Sequence, residues 1–129
     1  MNINWEAYTA RSYMNKLKDA YSRGIDFQLT LDMYRSILEQ THCYYTGIPL
    51  TRPPLSHKGG IPNDYQKAYT DLSIERVDCK QGYVENNVVA VCHYANNRKS
   101  SHESCDEKWQ KFDMDKFIKD TKEELKHIL

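Results

Sequence analysis

Apolar residues spaced three and four apart predict a first helix over residues 5–22. Tyr13, Leu17 and Tyr21 stand in line, Trp5, Tyr8 and Met14 lie near the same face, and Gly24 follows as a stop. A second helix starts after Thr30, whose hydroxyl suits the first free amides, with Asp32 in its first turn. Leu31, Tyr34 and Leu38 form its buried stripe, and it ends near Thr41. Residues 43–50 are a turn-rich lead-in. Residues 51–70, with Pro53, Pro54, Gly59, Gly60 and Pro62, predict a long loop, which in a compact domain is either functional or disordered. Strict alternation over 72–77 predicts a strand, Gln81-Gly82-Tyr83 a turn, and the β-branched run 88–91 a buried strand. A helix around 93–101 comes next. The tail places Trp109, Phe112, Phe117, Thr121, Leu125 and Ile128 near one face, and Asp113 is a candidate cap for a final helix to about 128.

Composition narrows the function classes. Eighteen Lys and Arg against eighteen Asp and Glu cancel, so no global positive field draws the protein to nucleic acid, and any phosphate contact must come from a local patch. No apolar run reaches the roughly 20 residues that span a bilayer, and the first six residues lack a signal-peptide pattern. Cys43, Cys79, Cys92 and Cys105 are scattered, which suits reduced thiols in a cytosol-like compartment. The ten tyrosines suit the rim of a small core.

The chemistry concentrates in Ser73-Ile74-Glu75-Arg76-Val77-Asp78, then Gly82-Tyr83-Val84-Glu85-Asn86-Asn87-Val88-Val89, then Cys92-His93-Tyr94-Ala95-Asn96-Asn97-Arg98-Lys99. This reads as a β-hairpin running at once into a helix. Such a unit can hold one side chain from a strand and one from the helix against a single divalent cation. Glu75 and the amide oxygen of Asn96 are hard donors that suit Mg²⁺ or Mn²⁺.

The segment resembles the HNH (ββα-metal, His-Me finger) endonucleases, especially the phage-type members. The resemblance covers roughly residues 28–101, with the specific motif confined to 73–99. It implies that Glu75 and Asn96 bind the metal, that Asn87 is the central asparagine bracing the hairpin loop, and that Lys99 is directed at phosphate. It also implies a DNA substrate and a phage-infected or bacterial cytoplasm as the setting.

Two departures matter. Arg76 stands where the family has its general-base histidine, and an arginine stays protonated and cannot take a proton from water. Arg76 would instead clamp the phosphate, or pair with Asp78 or Glu75. The base must then be Asp78, His57, His93 or a metal-bound water. Many relatives also carry two Cys-x-x-Cys pairs for structural zinc; here only Cys43 and Cys92 remain of them, so structural zinc is not expected and both read as buried thiols.

The bland alternatives stand beside these. Glu75 can face solvent, Asn87 can bond its own turn, and Asn96 can lie on an exposed helix face. His57 and Lys58 can be solvated loop residues, and Arg98 and Lys99 can simply favour a helix C-terminus. The expectation is an α+β fold of one domain over residues 1–129: a helical N-terminal segment (1–42), an HNH-like ββα core (43–101) and a C-terminal helix (106–129). The expected function is a metal-dependent DNA endonuclease using Glu75, Asn96, Arg76 and Asn87, with Asp78 and His57 as candidate bases. Arg98, Lys99 and Lys58 are the expected nucleic-acid contacts. The alternative is a catalytically silent HNH-fold module that binds nucleic acid or protein.

Overall fold

The computed structural model describes residues 3–129; Met1 and Asn2, from the N-terminal stretch read above, lie outside the described residues. The chain is mixed α+β, with five helices and one two-stranded antiparallel sheet among the described residues. In chain order these are α1 (Ile3–Ser22), α2 (Leu31–Leu38), β1 (Leu72–Arg76), β2 (Val88–Cys92), α3 (His93–Ser100), α4 (Asp106–Gln110) and α5 (Met114–Ile128).

The inward face of α1 differs from the expected stripe. Thr9 and Ala20 are buried, Tyr8, Ser12, Tyr13 and Lys16 are half-buried, and Met14 and Tyr21 are 45% and 87% exposed. The small Ala20 decides this rotation. It lets the chain double back through Gly24 (φ 67°), so that the Ile25 amide donates to the Ala20 carbonyl at 2.8 Å. In α2 the Thr30 hydroxyl caps as expected, accepting from the Met33 amide. Tyr34 and Leu38 are buried, but Leu31 is 47% exposed and Leu29 takes its place in the core. Leu29 is drawn in because the preceding segment runs along the hairpin loop, with the Gln28 amide donating to the Tyr83 carbonyl.

β1 and β2 pair in register Leu72↔Cys92 through Arg76↔Val88. Their connection, 77–87, is not one turn at 81–83. It holds two: the Gln81 amide donates to the Asp78 carbonyl, and the Asn87 amide to the Val84 carbonyl, with Asn86 left-handed at φ 71°. Between them Tyr83 bridges in parallel to Phe27. That bridge needs a glycine beside it: a Cβ on Gly82 would lie 2.4 Å from the Asp26 carbonyl oxygen. Gly82→Ala is therefore expected to cost about 1–3 kcal/mol as an overpacked contact, read from the urea midpoint. A loss below about 0.5 kcal/mol would mean that the segments do not approach this closely.

Asp71 anchors the long loop. Its buried carboxylate accepts from the Thr51 and Tyr65 hydroxyls and from the Ala68 amide, and its carbonyl accepts from the His93 amide. Burial alone would raise this carboxyl, but the three hydrogen bonds outweigh it and hold Asp71 below the usual carboxylate range. Gly59 (φ 78°) docks the loop on α1, where a Cβ would fall 2.4 Å from the Tyr8 amide nitrogen.

The C-terminal region is two helices rather than one: α4 ends at Gln110, and Asp113 caps α5 by accepting from the Lys116 amide. Phe117, Thr121 and Leu125 are buried, whereas Ile128 is 44% exposed. Tyr34, Tyr45 and Tyr83 lie inside the core rather than at its rim, the phenol of Tyr34 satisfied by Ser12. No helix among the described residues is long and apolar enough to cross a membrane.

Candidate functional site

Glu75, Arg76 and Asn96 line one cleft of about 450 Å³, whose other walls include Lys16, Arg23 and Tyr83. The strand pairing and the immediate start of α3 after Cys92 account for the convergence. Glu75 lies one residue before the end of β1 opposite Val89, and α3 touches both strands. Glu75 is only 6% exposed. Its Oε1 lies 3.8 Å from the Lys99 ammonium, while its Oε2 is buried without any hydrogen-bond partner. Burial pushes the Glu75 carboxyl up to about 7; Lys99 pulls against this and Glu103 adds to it. Asn96, half-buried on α3, has a side-chain amide that makes no hydrogen bond among the described residues.

Arg76 is more tied down than a free phosphate clamp. Its Nη1 donates to the carbonyls of Cys79 (2.9 Å) and Gln81 (3.0 Å), and its guanidinium lies 5.3 Å from the Tyr83 ring centre. Asn87 is buried and braces the same loop. Its Oδ1 accepts from the Asp78 amide, and its Nδ2 donates to the carbonyls of Asp78 and Gly82. Asp78 is consumed by its own turn, accepting from the Lys80 amide and the Gln81 side chain, and it does not line the cleft.

Lys99 is a correction. It is fully buried, so it is no phosphate contact; its ammonium donates to the Arg76 carbonyl at 3.0 Å and pairs with Glu75 and Glu103. The residues after α3 cover it, with the Trp109 ring centre 4.8 Å from its nitrogen. Arg98 is also turned to the interior, paired with Glu124 at 2.8 Å and lying over Phe117. Lys58 and His57 are exposed on the loop docked against α1, and neither lines the Glu75 cleft. His93 lies outside that cleft as well: burial lowers its imidazole, and so does Lys67 beside it. Cys43 and Cys92 are buried free thiols in contact, the Cys92 amide donating to the Cys43 sulfur. Their shared hydrogen bond lowers the Cys43 thiol and raises that of Cys92.

Sequence reasoning missed Glu103 and Lys16. Glu103 lines the cleft and pairs with Lys99 at 3.5 Å, a contact that an i,i+4 search from Lys99 finds. Lys16 carried no local signal, because only the packing of α1 turns it inward. The arrangement can do two things chemically: offer an unpartnered carboxylate oxygen and an amide to a hard cation, and hold anions on flanking cations. Comparison with protein-family models, with curated proteins and with solved structures gave no match.

Proposed function

We propose that the protein is a metal-dependent endonuclease of the HNH (ββα-metal) type, hydrolysing phosphodiester bonds in DNA. One observation carries the reading: a nine-tenths-buried carboxylate, Glu75, keeps one oxygen without a partner in a cleft it shares with Asn96. A buried charged oxygen without a partner is costly, and evolution keeps such groups where a ligand completes them. The donor set fits a hard divalent cation such as Mg²⁺ or Mn²⁺, which keeps several waters and takes only one or two protein groups. Glu75 and Asn96 would hold it, and once bound it supplies Lewis-acid stabilisation of the phosphate's developing charge.

The chain's own groups account for the remaining steps. Lys99 fixes one Glu75 oxygen and leaves the other to the cleft. Asn87 and Arg76 hold the hairpin loop in shape. Glu103, which lines the cleft while Asp78 and His57 stand outside it, would accept the proton from the attacking water, and solvent water would protonate the departing 3′ oxygen. A second reading, a silent module of the same fold, draws support from Arg76, whose guanidinium is already committed to two loop carbonyls.

Nicking of supercoiled plasmid separates them. With Mg²⁺ or Mn²⁺ the nicked form should accumulate, and Glu75→Ala should lower its rate by about 100-fold or more, the upper range seen when even a ligand's supporting group is lost. If folded protein cuts neither plasmid nor a single-stranded oligonucleotide with either metal, the enzyme reading fails and the module reading replaces it.

A further inference from the structure

A second cleft, of about 410 Å³, lies between α1 and β1 and shares the wall residues Lys16 and Ile74 with the Glu75 cleft, so the two adjoin and are taken together as one trough. The chain has no net charge, yet the trough collects cations: Arg11, Lys16, Arg23, Lys67, Arg76 and Lys80 face it against Asp19, Glu75 and Glu103. Six cations against three anions leave an excess of positive charge there, and low-dielectric walls focus such a field into the local patch that a neutral protein needs to hold a polyanion.

Lys16 lies at the junction of the two clefts. It occupies the inward face of α1 between Ser12 and Ala20, a position where an apolar residue would close the helix onto the sheet. It makes no ion pair among the described residues; its ammonium lies 5.7 Å from the Tyr83 ring centre, and burial lowers it. Asp19 and Glu75 attract it from beyond pairing distance without offsetting that burial, and a ligand phosphate in direct contact would. The ion-pair partners of Arg23 and Lys80, Asp19 and Asp106, are exposed, and such surface pairs are weak enough to exchange for phosphate.

We propose that this trough carries a single nucleic-acid strand along α1 and past Glu75, with its phosphates held by Lys16, Arg23 and Lys80. Each cleft is of small-molecule size, suited to a nucleotide or two from one strand and not to a double helix. A groove that tracks a backbone with cations, beside a half-buried ring such as Tyr8, is the usual design for binding single strands. The choice of substrate form rests on the endonuclease reading, but the binding itself does not require cleavage.

The test uses a fluorescein-labelled twelve-nucleotide oligothymidine and fluorescence anisotropy, without divalent metal and over a range of salt. Three phosphate contacts on a single strand give a slope of log K against log salt of about −2. Lys16→Gln with Arg23→Gln should weaken binding about tenfold or more and flatten that slope by about 1.4. Arg23→Gln alone, at an exposed site, should flatten it by about 0.7 and serves if the double variant folds poorly. Lys18→Gln, on the exposed face of the same helix, should change affinity less than twofold. Equal losses from Lys18→Gln, no loss from Arg23→Gln, or binding of duplex alone would each overturn the trough. If binding follows the predicted pattern while both the oligothymidine and the plasmid stay intact with both metals, the trough stands and the endonuclease reading falls. If plasmid is nicked while the variants bind like wild type, the endonuclease reading stands and the trough falls.

Discussion

Lys99→Met should destabilise the protein by about 3–5 kcal/mol at pH 8, because it removes the one ammonium that pairs with the buried Glu75 carboxylate among the described residues. The Lys99 side chain is fully buried, donates to the Arg76 carbonyl at 3.0 Å, and lies 3.8 Å from Glu75 and 3.5 Å from Glu103. Methionine fills much of the same volume beneath Trp109 and Phe112, so the loss reports charge and hydrogen bonding rather than a cavity. Lys99→Arg should rescue little, since the wider planar fork does not fit a slot shaped for a point charge. Near pH 5 the penalty should shrink, because Glu75 is then protonated on both sides of the comparison. Urea titration at the two pH values measures both effects. A loss below about 1 kcal/mol at pH 8 would show that Lys99 is solvated and free to meet phosphate.

The contrast between Lys99 and Asn87 marks how far the sequence was legible. Asn87 bonds groups five and nine residues away, inside one hairpin loop, and its bracing role could be read from local turn chemistry. The caps Thr30 and Asp113 act three residues ahead and were equally readable. The β-branched run in β2, and the alternation in β1 that put Glu75 near its end, are likewise local, and the strands pair as expected. Lys99 depended on where residues 101–112 would pass. A basic residue at a helix end looks solvated until Trp109 and Phe112 fold over it. Leu31 and Tyr21 fall outside the core for a related reason: the apolar spacing runs beyond a stripe whose width is set by the opposing surface. The trough was invisible because its two walls, α1 and β1, are far apart in the chain.

Glu75→Gln should lose cleavage yet gain stability, and the gain should grow with pH. Burial raises the Glu75 carboxyl from 4.5 to about 7 in the folded protein. The folded state therefore binds a proton that the unfolded state has already released over that interval. The stability linked to this group is fully present below about pH 4.5 and is lost as pH rises to about 7, with a ceiling of about 3 kcal/mol at 1.36 kcal/mol per pH unit. Lys99 and Arg76 pull this carboxyl down and Glu103 pushes it up, with burial the largest influence on it. Glutamine keeps the shape and cannot ionise, so its urea midpoint should exceed that of wild type at pH 8 and match it near pH 4.5. Adding Mg²⁺ at pH 8 should raise the wild-type midpoint and leave Glu75→Gln unmoved, because a carboxylate ligand must be ionised to bind. Equal midpoints at pH 8 would mean that Glu75 is solvated and carries no stored cost. A variant less stable than wild type at that pH would make the Glu75–Lys99 pair a net source of stability, with no reason for Glu75 to seek a cation.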